Sequence, residues 1–147
     1  MNTFKPARLA ARKQGGIALL EALIATVILA IGLLGAIGMQ ARAYAALNEA
    51  GLRAEATIAS EKLLAQMAID QANVTSYAYA GGAGSAQVAP WVAETTGRIP
   101  NAGLKVVVTP VSATRSQVDI SISWQRKAGA GSPVNVHNIT SYIASSK

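Results

Sequence analysis

The sequence predicts an α+β fold in which a long amino-terminal α-helical spine, transmembrane in its first half, packs on a small carboxy-terminal antiparallel β-sheet. Three observations predict this fold. Residues 17–39 are apolar or small except for Glu21 and Thr26, residues 40–70 repeat apolar side chains at helical spacing, and residues 104–147 contain runs of alternating apolar and polar side chains. A helix and a sheet that are each apolar on one side need a cover, so each is the expected partner of the other.

Much of the net charge of +6 lies at the amino terminus. Lys5, Arg8, Arg12 and Lys13 precede Gly16 without an acid among them, and the rest of the chain carries nine basic and seven acidic residues. We therefore predict no specific nucleic-acid partner, since such a partner requires a basic surface rather than a basic leader. The absence of cysteine excludes disulfides and thiolate metal sites.

Residues 17–39 are long enough to cross a bilayer. A helix of this length extends roughly 35 Å, against a hydrocarbon core of about 30 Å. The basic leader predicts, by the positive-inside rule, a cytoplasmic amino terminus and an external carboxy-terminal part. Two alternatives are a secretory signal cleaved after the "ARA" at 41–43 and an uncleaved signal anchor.

Glu21 is an acid inside this apolar span, where a carboxylate costs roughly 2.5 kcal/mol or more near the bilayer centre. The simplest interpretation is a shallow side chain that reaches headgroup water beside a helix amino terminus. The glycine pair before Ile17 indicates another: cleavage after Gly16 would create an α-amino group at Ile17, with Glu21 as the fifth residue. The ammonium and the carboxylate would then neutralise each other between neighbouring, axially staggered helices.

The segment "KQGGIALLEALIATVILAIGLLG" resembles the amino terminus of type IV prepilins, with a basic leader, a glycine before the cut, an apolar mature start and a glutamate at mature position five. Ile17 and Ala18 stand where that family usually has Phe and Thr. The runs "VILAIGLLGAIGMQARA" and "LRAEATIASEKLLAQM" are similar to the PilV type of minor pilin.

This resemblance implies that a prepilin peptidase cleaves between Gly16 and Ile17 and N-methylates Ile17, and that Glu21 neutralises charge during assembly. It implies a single-pass inner-membrane protein with a periplasmic carboxy-terminal domain, which then enters the assembled pilus or pseudopilus. The implied partners are the peptidase, membrane lipid, the inner-membrane assembly platform, the other minor pilins and the major pilin.

The expected function is therefore structural: a PilV-like minor pilin in type IV pilus assembly or initiation, including a place at the pilus tip. Two alternatives remain open. One is a minor pseudopilin of the I type in a type II secretion system. The other is an adhesion or DNA-uptake module on a pilin stem, which the dispersed positive charge after Gln71 would suit.

The segments follow from these observations as a cleaved leader (1–16), a transmembrane assembly helix (17–39) and an amphipathic continuation (40–70). Gly32, Gly35 and Gly38 lie within the span, where small residues favour close helix packing or local melting, although glycine is also simply common in membrane helices. In the continuation, Glu49 is expected to pair with Arg53. Its apolar stripe consists of Leu52, Ala56, Ala59, Leu63 and Met67.

Residues 71–103 are rich in glycine, alanine and serine, which predicts an irregular connection with a short strand near Trp91 and Val92. Tyr77, Tyr79 and Trp91 are candidates either for contacts with a partner or for covering the sheet edge.

Residues 104–147 are expected to form the sheet. "LKVVVTP" ends at Pro110, "SQVDISISW" places Val118, Ile120, Ile122 and Trp124 on one face, "AGAGSP" makes a turn, and "VNVHNITSYI" supplies a third strand.

We predict no catalytic residues, no metal site and no cofactor, and hence that the chain is not an enzyme. His137 is the single histidine and is expected to face solvent. The glycine-rich "YAGGAGSA" lacks the lysine and the following helix of a phosphate-binding loop.

Overall fold

The computed structural model describes residues 15–125 and 134–144. Within them the helix α1 (Gly15–Ile69) precedes a 3₁₀ helix (Gln71–Tyr77) and a second helix, α2 (Ala89–Arg98). Three strands follow: β1 (Gly103–Ser112), β2 (Arg115–Trp124) and β3 (Asn135–Ala144). Most of the predicted leader and the turn predicted at 128–133 lie outside the described residues.

The chain divides into two compact units, residues 1–46 and 47–147. In the first unit the described residues all belong to α1, and its large apolar side chains from Ile17 to Met39 are exposed. By length and composition α1 can cross a membrane. This confirms the predicted apolar helix and is consistent with a single membrane span.

In the second unit, α1 buries one stripe of side chains. Ala56, Ser60, Leu63 and Met67 are fully buried at spacings of three and four residues, and Leu52 and Ala59 pack partly buried against the same core. The Ser60 hydroxyl donates a hydrogen bond of 2.9 Å to the Ala56 carbonyl, so its burial leaves no unpaired donor. The predicted stripe is confirmed.

The three strands form an antiparallel sheet in the order β1-β2-β3, so β2 is the central strand. The side chains of β2 that were predicted to share a face are Val118, Ile120, Ile122 and Trp124, and all four are buried. They join the α1 stripe in one hydrophobic core. The predicted α+β fold, a long amino-terminal helix packed on a small antiparallel sheet, is therefore confirmed.

The connection between α1 and β1 is more ordered than the sequence suggested. The strand expected near Trp91 and Val92 is wrong, because both residues lie in α2. Pro90 stands in the first turn of α2, where its missing N–H costs nothing. On the buried side, Val88, Trp91, Thr95 and Ile99 recur at helical spacing. The prediction of an irregular segment thus fails for residues 89–98.

Two strand predictions also need correction. β1 continues past Pro110 to Ser112, with a register shift between these residues. His137 does not face solvent: it pairs with the buried Ile122, and directly opposed residues share a sheet face. The imidazole is therefore half-buried on the core side of β3.

Candidate functional site

Glu21 lies on an exposed, otherwise apolar face of α1. It lines an open depression with Ile17, Leu20, Ile24, Ala25 and Ile28. Among the described residues, no cation and no hydrogen-bond donor contacts its carboxylate. The carboxylate thus stands where a group from outside the described part of the chain can meet it.

Gly16 and Ile17 both lie in the first turn of α1. Ile17 precedes Glu21 by four residues, a separation that places two side chains on the same helix face. A Cβ added at Gly16 would meet no atom within 4 Å, so the bond predicted to be cleaved is not enclosed by the chain's own described residues. The structure brings all three predicted residues to one end of the apolar helix.

Gly32, Gly35 and Gly38 continue α1 without a break, and a Cβ added at any of them would meet nothing within 4 Å. These glycines therefore leave open surface on the helix rather than accommodating a neighbour within the described chain. Close packing at this surface requires a group from outside the described residues.

A second apolar stripe, which sequence reasoning missed, lies on the outward side of α1 in the second unit. It consists of Leu47, Gly51, Ala54, Ile58, Ala65 and Ile69. Leu47, Ile58 and Ile69 are 67%, 55% and 88% exposed, respectively. The spacings of three, four and seven residues were present in the sequence and are those of a helix-packing seam, with Glu61 as the charged exception. We call this set the outward stripe.

Four charged side chains link α1 to α2. The Lys62 ammonium contacts the Glu94 carboxylate, and the Arg98 guanidinium lies 3.4 Å from Glu94 Oε1 and 3.5 Å from Glu55 Oε2. The hydrogen bond from Lys62 holds the pKa of the Glu94 carboxyl below its ordinary value, and the charges of Lys62 and Arg98 act in the same direction against desolvation. These contacts fasten α2 across the helix.

The groove beneath these ion pairs is too small for a ligand. It is lined by residues of both helices, including Trp91 and Thr95, and encloses about 20 Å³. That volume holds about one water molecule.

The outer face of the sheet carries a chain of polar contacts. Tyr142 donates to Gln117 Oε1 at 3.3 Å, Gln117 donates to Asp119 Oδ2 at 3.0 Å, and Thr140 donates to the other oxygen of Asp119. The Arg115 guanidinium lies 4.2 Å from the centre of the Tyr142 ring. The contacts join β2 to β3 and occupy both carboxylate oxygens of Asp119.

Several buried polar atoms on the core side have no hydrogen-bond partner among the described residues, for example Trp124 Nε1 and His137 Nε2. Nearby on β3, Asn135 donates a hydrogen bond of 3.1 Å to Glu49 Oε2, and Glu49 Oε1 lies 3.4 Å from Arg53 Nε. The predicted Glu49–Arg53 pair is therefore confirmed. In the described residues, no group of three or more His, Asp or Glu side chains is placed to hold a metal ion.

The three candidate contact residues of the connection belong mainly to the fold. Trp91 and Tyr77 are buried, and the Tyr77 hydroxyl donates to Asp70 Oδ2 at 3.1 Å. The Tyr79 backbone forms an isolated bridge with Val106 of β1, which favours the alternative that this segment covers the sheet edge.

No protein-family model, curated protein or solved structure matches the chain.

Proposed function

We propose that this chain is a minor pilin of the PilV type, which acts structurally in the assembly of a type IV pilus. The observation that carries the proposal is Glu21, a carboxylate on an exposed apolar helix that has no partner among the described residues and lies five residues after the glycine at which a prepilin would be cut. The same helix continues into a stripe that seats a small antiparallel sheet, the arrangement that the resemblance implies.

Membrane anchoring follows from the exposed apolar side chains of residues 17–39. Burying such side chains in lipid is favourable by about 25 cal/mol per Å² of apolar surface, and α1 offers them on all sides. The basic leader orients the span, with the carboxy-terminal domain in the periplasm.

Assembly would use the charge of Glu21. After cleavage, the ammonium of Ile17 in one subunit and the carboxylate of Glu21 in its neighbour cancel, which removes two charges from an apolar filament interior. The prepilin peptidase supplies the ammonium by cutting and methylating the chain. The assembly platform, the other minor pilins and the major pilin supply the neighbouring helices.

The outward stripe supports the same proposal. A protein that remained a monomer would expose Leu47, Ile58 and Ile69 to water on a helix whose other side is already buried. Helices of adjacent subunits can cover this stripe. Nearer the amino terminus of α1, Gly32, Gly35 and Gly38 permit the same helices to approach closely.

The test is deletion of the gene in the organism that carries it, with complementation by the wild-type chain. We expect fewer surface pili, unchanged protein secretion, and recovery from sheared pili of a chain that begins at Ile17. Normal pili with lost secretion would instead identify a pseudopilin of a type II secretion system. Normal pili, normal secretion and an uncut chain beginning at Met1 would contradict both functions.

A further inference from the structure

β3 forms one edge of the sheet. Its inner side pairs with β2 over ten consecutive residues without a register shift. Within residues 15–125 and 134–144, no strand and no backbone hydrogen bond occupies its outer side. An edge of this kind presents a row of unpaired N–H and C=O groups to its surroundings.

The opposite edge, at β1, is protected in several ways. Tyr79 N–H donates to Val106 O at 2.9 Å, and Val106 N–H donates to Tyr79 O at 2.7 Å. Pro110 lacks an N–H, the register shifts between Pro110 and Ser112, and Lys105 places a charge on the exposed face. Each of these features discourages the addition of another strand.

β3 has none of these features. From Asn135 to Ala144 it contains no proline, no glycine and no lysine, arginine, aspartate or glutamate. On its outer face Val136 and Tyr142 are 45% and 50% exposed. The two edges of the sheet thus differ, and within the described part of the chain only the β3 edge is suitable for strand addition.

We propose that β3 binds an extended segment of a different protein chain, which adds to the sheet as a fourth strand. Backbone hydrogen bonds would provide the affinity and alternate side chains the specificity. The segment would carry β-branched or aromatic residues beside Val136 and Tyr142, since such cross-strand pairs are favourable. An acidic residue of the segment would lie near Arg115, the cation already held over the Tyr142 ring.

A second copy of this chain is a poorer partner for the same edge. Pairing of β3 with the β1 edge of another copy is blocked by Tyr79 and Pro110. Pairing of two β3 strands would bring no acidic residue to Arg115, because residues 135–144 contain no aspartate or glutamate. A different chain can supply that acid.

Photo-cross-linking in cells that express the full chain tests the proposal. A benzophenone amino acid replaces Val136, Asn138 or Tyr142 on β3, one at a time, and Thr109 on the same face of β1 as a matched control. We expect adducts with one partner protein, at partner positions spaced by about two and four residues, because paired strands advance together. We call this regular spacing of adducts the ladder, and the Thr109 variant should not give it.

Three outcomes would overturn the proposal: adducts within this chain's own sequence, adducts scattered over a partner without register, or no adducts from β3. Adducts between copies would identify a homodimer instead. Because cleavage at Gly16 and incorporation into pili are measured separately, loss of the ladder alone would contradict strand addition and leave the pilin function standing.

Two proline variants separate strand addition from folding. The N–H groups of successive residues in a strand point alternately to its two sides, so those of Asn138 and Ser141 point to opposite sides of β3. One of the variants Asn138→Pro and Ser141→Pro therefore removes a hydrogen bond to β2, and the other removes an N–H group at the free edge. The variant that retains the wild-type melting temperature should lose about tenfold in cross-linking yield from Tyr142. An unchanged cross-linking yield in that variant would also overturn the proposal. If both variants have a lowered melting temperature, the spacing of the adducts from Val136, Asn138 and Tyr142 provides the test instead.

Discussion

The indole Nε1 of Trp91 donates a hydrogen bond of 2.8 Å to the backbone carbonyl of Ala59, and so joins α2 to the carboxy-terminal part of α1. Of the described residues, every buried apolar side chain lies between Ala56 and Ile143. A soluble fragment of residues 43–147 therefore retains the whole of this core and is suited to measurements of stability.

Replacing Trp91 with Phe should lower the free energy of unfolding of this fragment by about 1–2 kcal/mol. The change removes the hydrogen bond to Ala59 and part of the indole packing, while the helix-forming backbone is unaffected. Urea denaturation followed by far-ultraviolet circular dichroism measures the effect. Val92→Ala, on the same helix, is the matched control, and a loss for Trp91→Phe no larger than that of the control would contradict the proposed bond energy.

Trp124→Ala should cost about 3–5 kcal/mol, because the ring is fully buried at the end of β2 and its loss leaves a cavity. Val107→Ala, on the exposed side of β1, should cost well under 1 kcal/mol. Both values come from denaturant titration of the same fragment. A loss below about 1 kcal/mol for Trp124→Ala would show that the core closes without this side chain.

Acid should weaken the attachment of α2 through Glu94. The pKa of this carboxyl lies below its ordinary value of 4.5, so in the range beneath 4.5 the folded state binds fewer protons than the unfolded state. The contribution of Glu94 is therefore complete above pH 4.5 and disappears as the pH falls through the folded-state pKa.

The measurement for this acid effect is the difference in unfolding free energy between wild type and Glu94→Gln at neutral pH and at about pH 3. We expect the difference to shrink in acid. Glu61→Gln is the control, since Glu61 forms no ion pair in the described part of the chain. A difference that is the same at both pH values would rule out the Lys62 contact as the cause.

Substituting Gly16 with Val should leave the precursor uncut. Because an added Cβ meets no atom of the described chain within 4 Å, the substitution does not disturb the protein's own packing. A defect in cleavage would then come from poor binding of the altered chain to the proposed peptidase, whose active site is expected to accept a residue without a side chain at this position. Mass spectrometry of the amino terminus gives the result, and Gly32→Val, equally open in this structure, should be cut normally. Normal processing of Gly16→Val would show that the chain is not cleaved after residue 16.

Glu21→Gln should be processed and retained in the membrane but poorly recruited into pili. In the proposed assembly, loss of the carboxylate would strand the Ile17 ammonium of a neighbouring subunit in an apolar interior, at a cost of about 3–5 kcal/mol. The readout is the amount of the variant in sheared pili, relative to its amount in the membrane. Glu61→Gln makes the same chemical change on the same helix outside the span and should be recruited normally. Equal recruitment of both variants would leave Glu21 as an interfacial residue without a role in assembly.

The parts of the fold that the sequence predicted are those with an unambiguous period. The stripe through Leu63 and Met67 and the alternation from Val118 to Trp124 each match one type of element only. In α2, by contrast, adjacent Trp91 and Val92 have the side chains of a strand. The signal for a helix was Pro90 at its start together with the three- and four-residue spacing of Val88, Trp91, Thr95 and Ile99.

The strand β3 was predicted correctly, but the face of His137 was not, because the pattern of apolar residues changes along the strand. Val134 and Val136 occupy alternate positions on the outer face, whereas Ile139 and Ile143 belong to the other face. The pairing of β3 with β2 determines which face of β3 lies on the core, because it places His137 opposite the buried Ile122. No local pattern contains that information, since register is a property of two strands. The role expected for Glu21 stays a prediction from residue types, spacing and the prepilin resemblance, because its expected partner is another molecule.

The stripe of α1 that ends at Met67 is covered by strands that are synthesised much later, since β3 ends at Ala144, about 77 residues further along. At about 5–20 residues per second, a ribosome needs roughly 4–15 s to supply that cover. During this interval Ala56, Leu63 and Met67 of the nascent chain have no native partner on the sheet. Under the proposed anchoring of the apolar helix in a membrane, the lipid interface is the nearest apolar phase that can shelter them until translation ends.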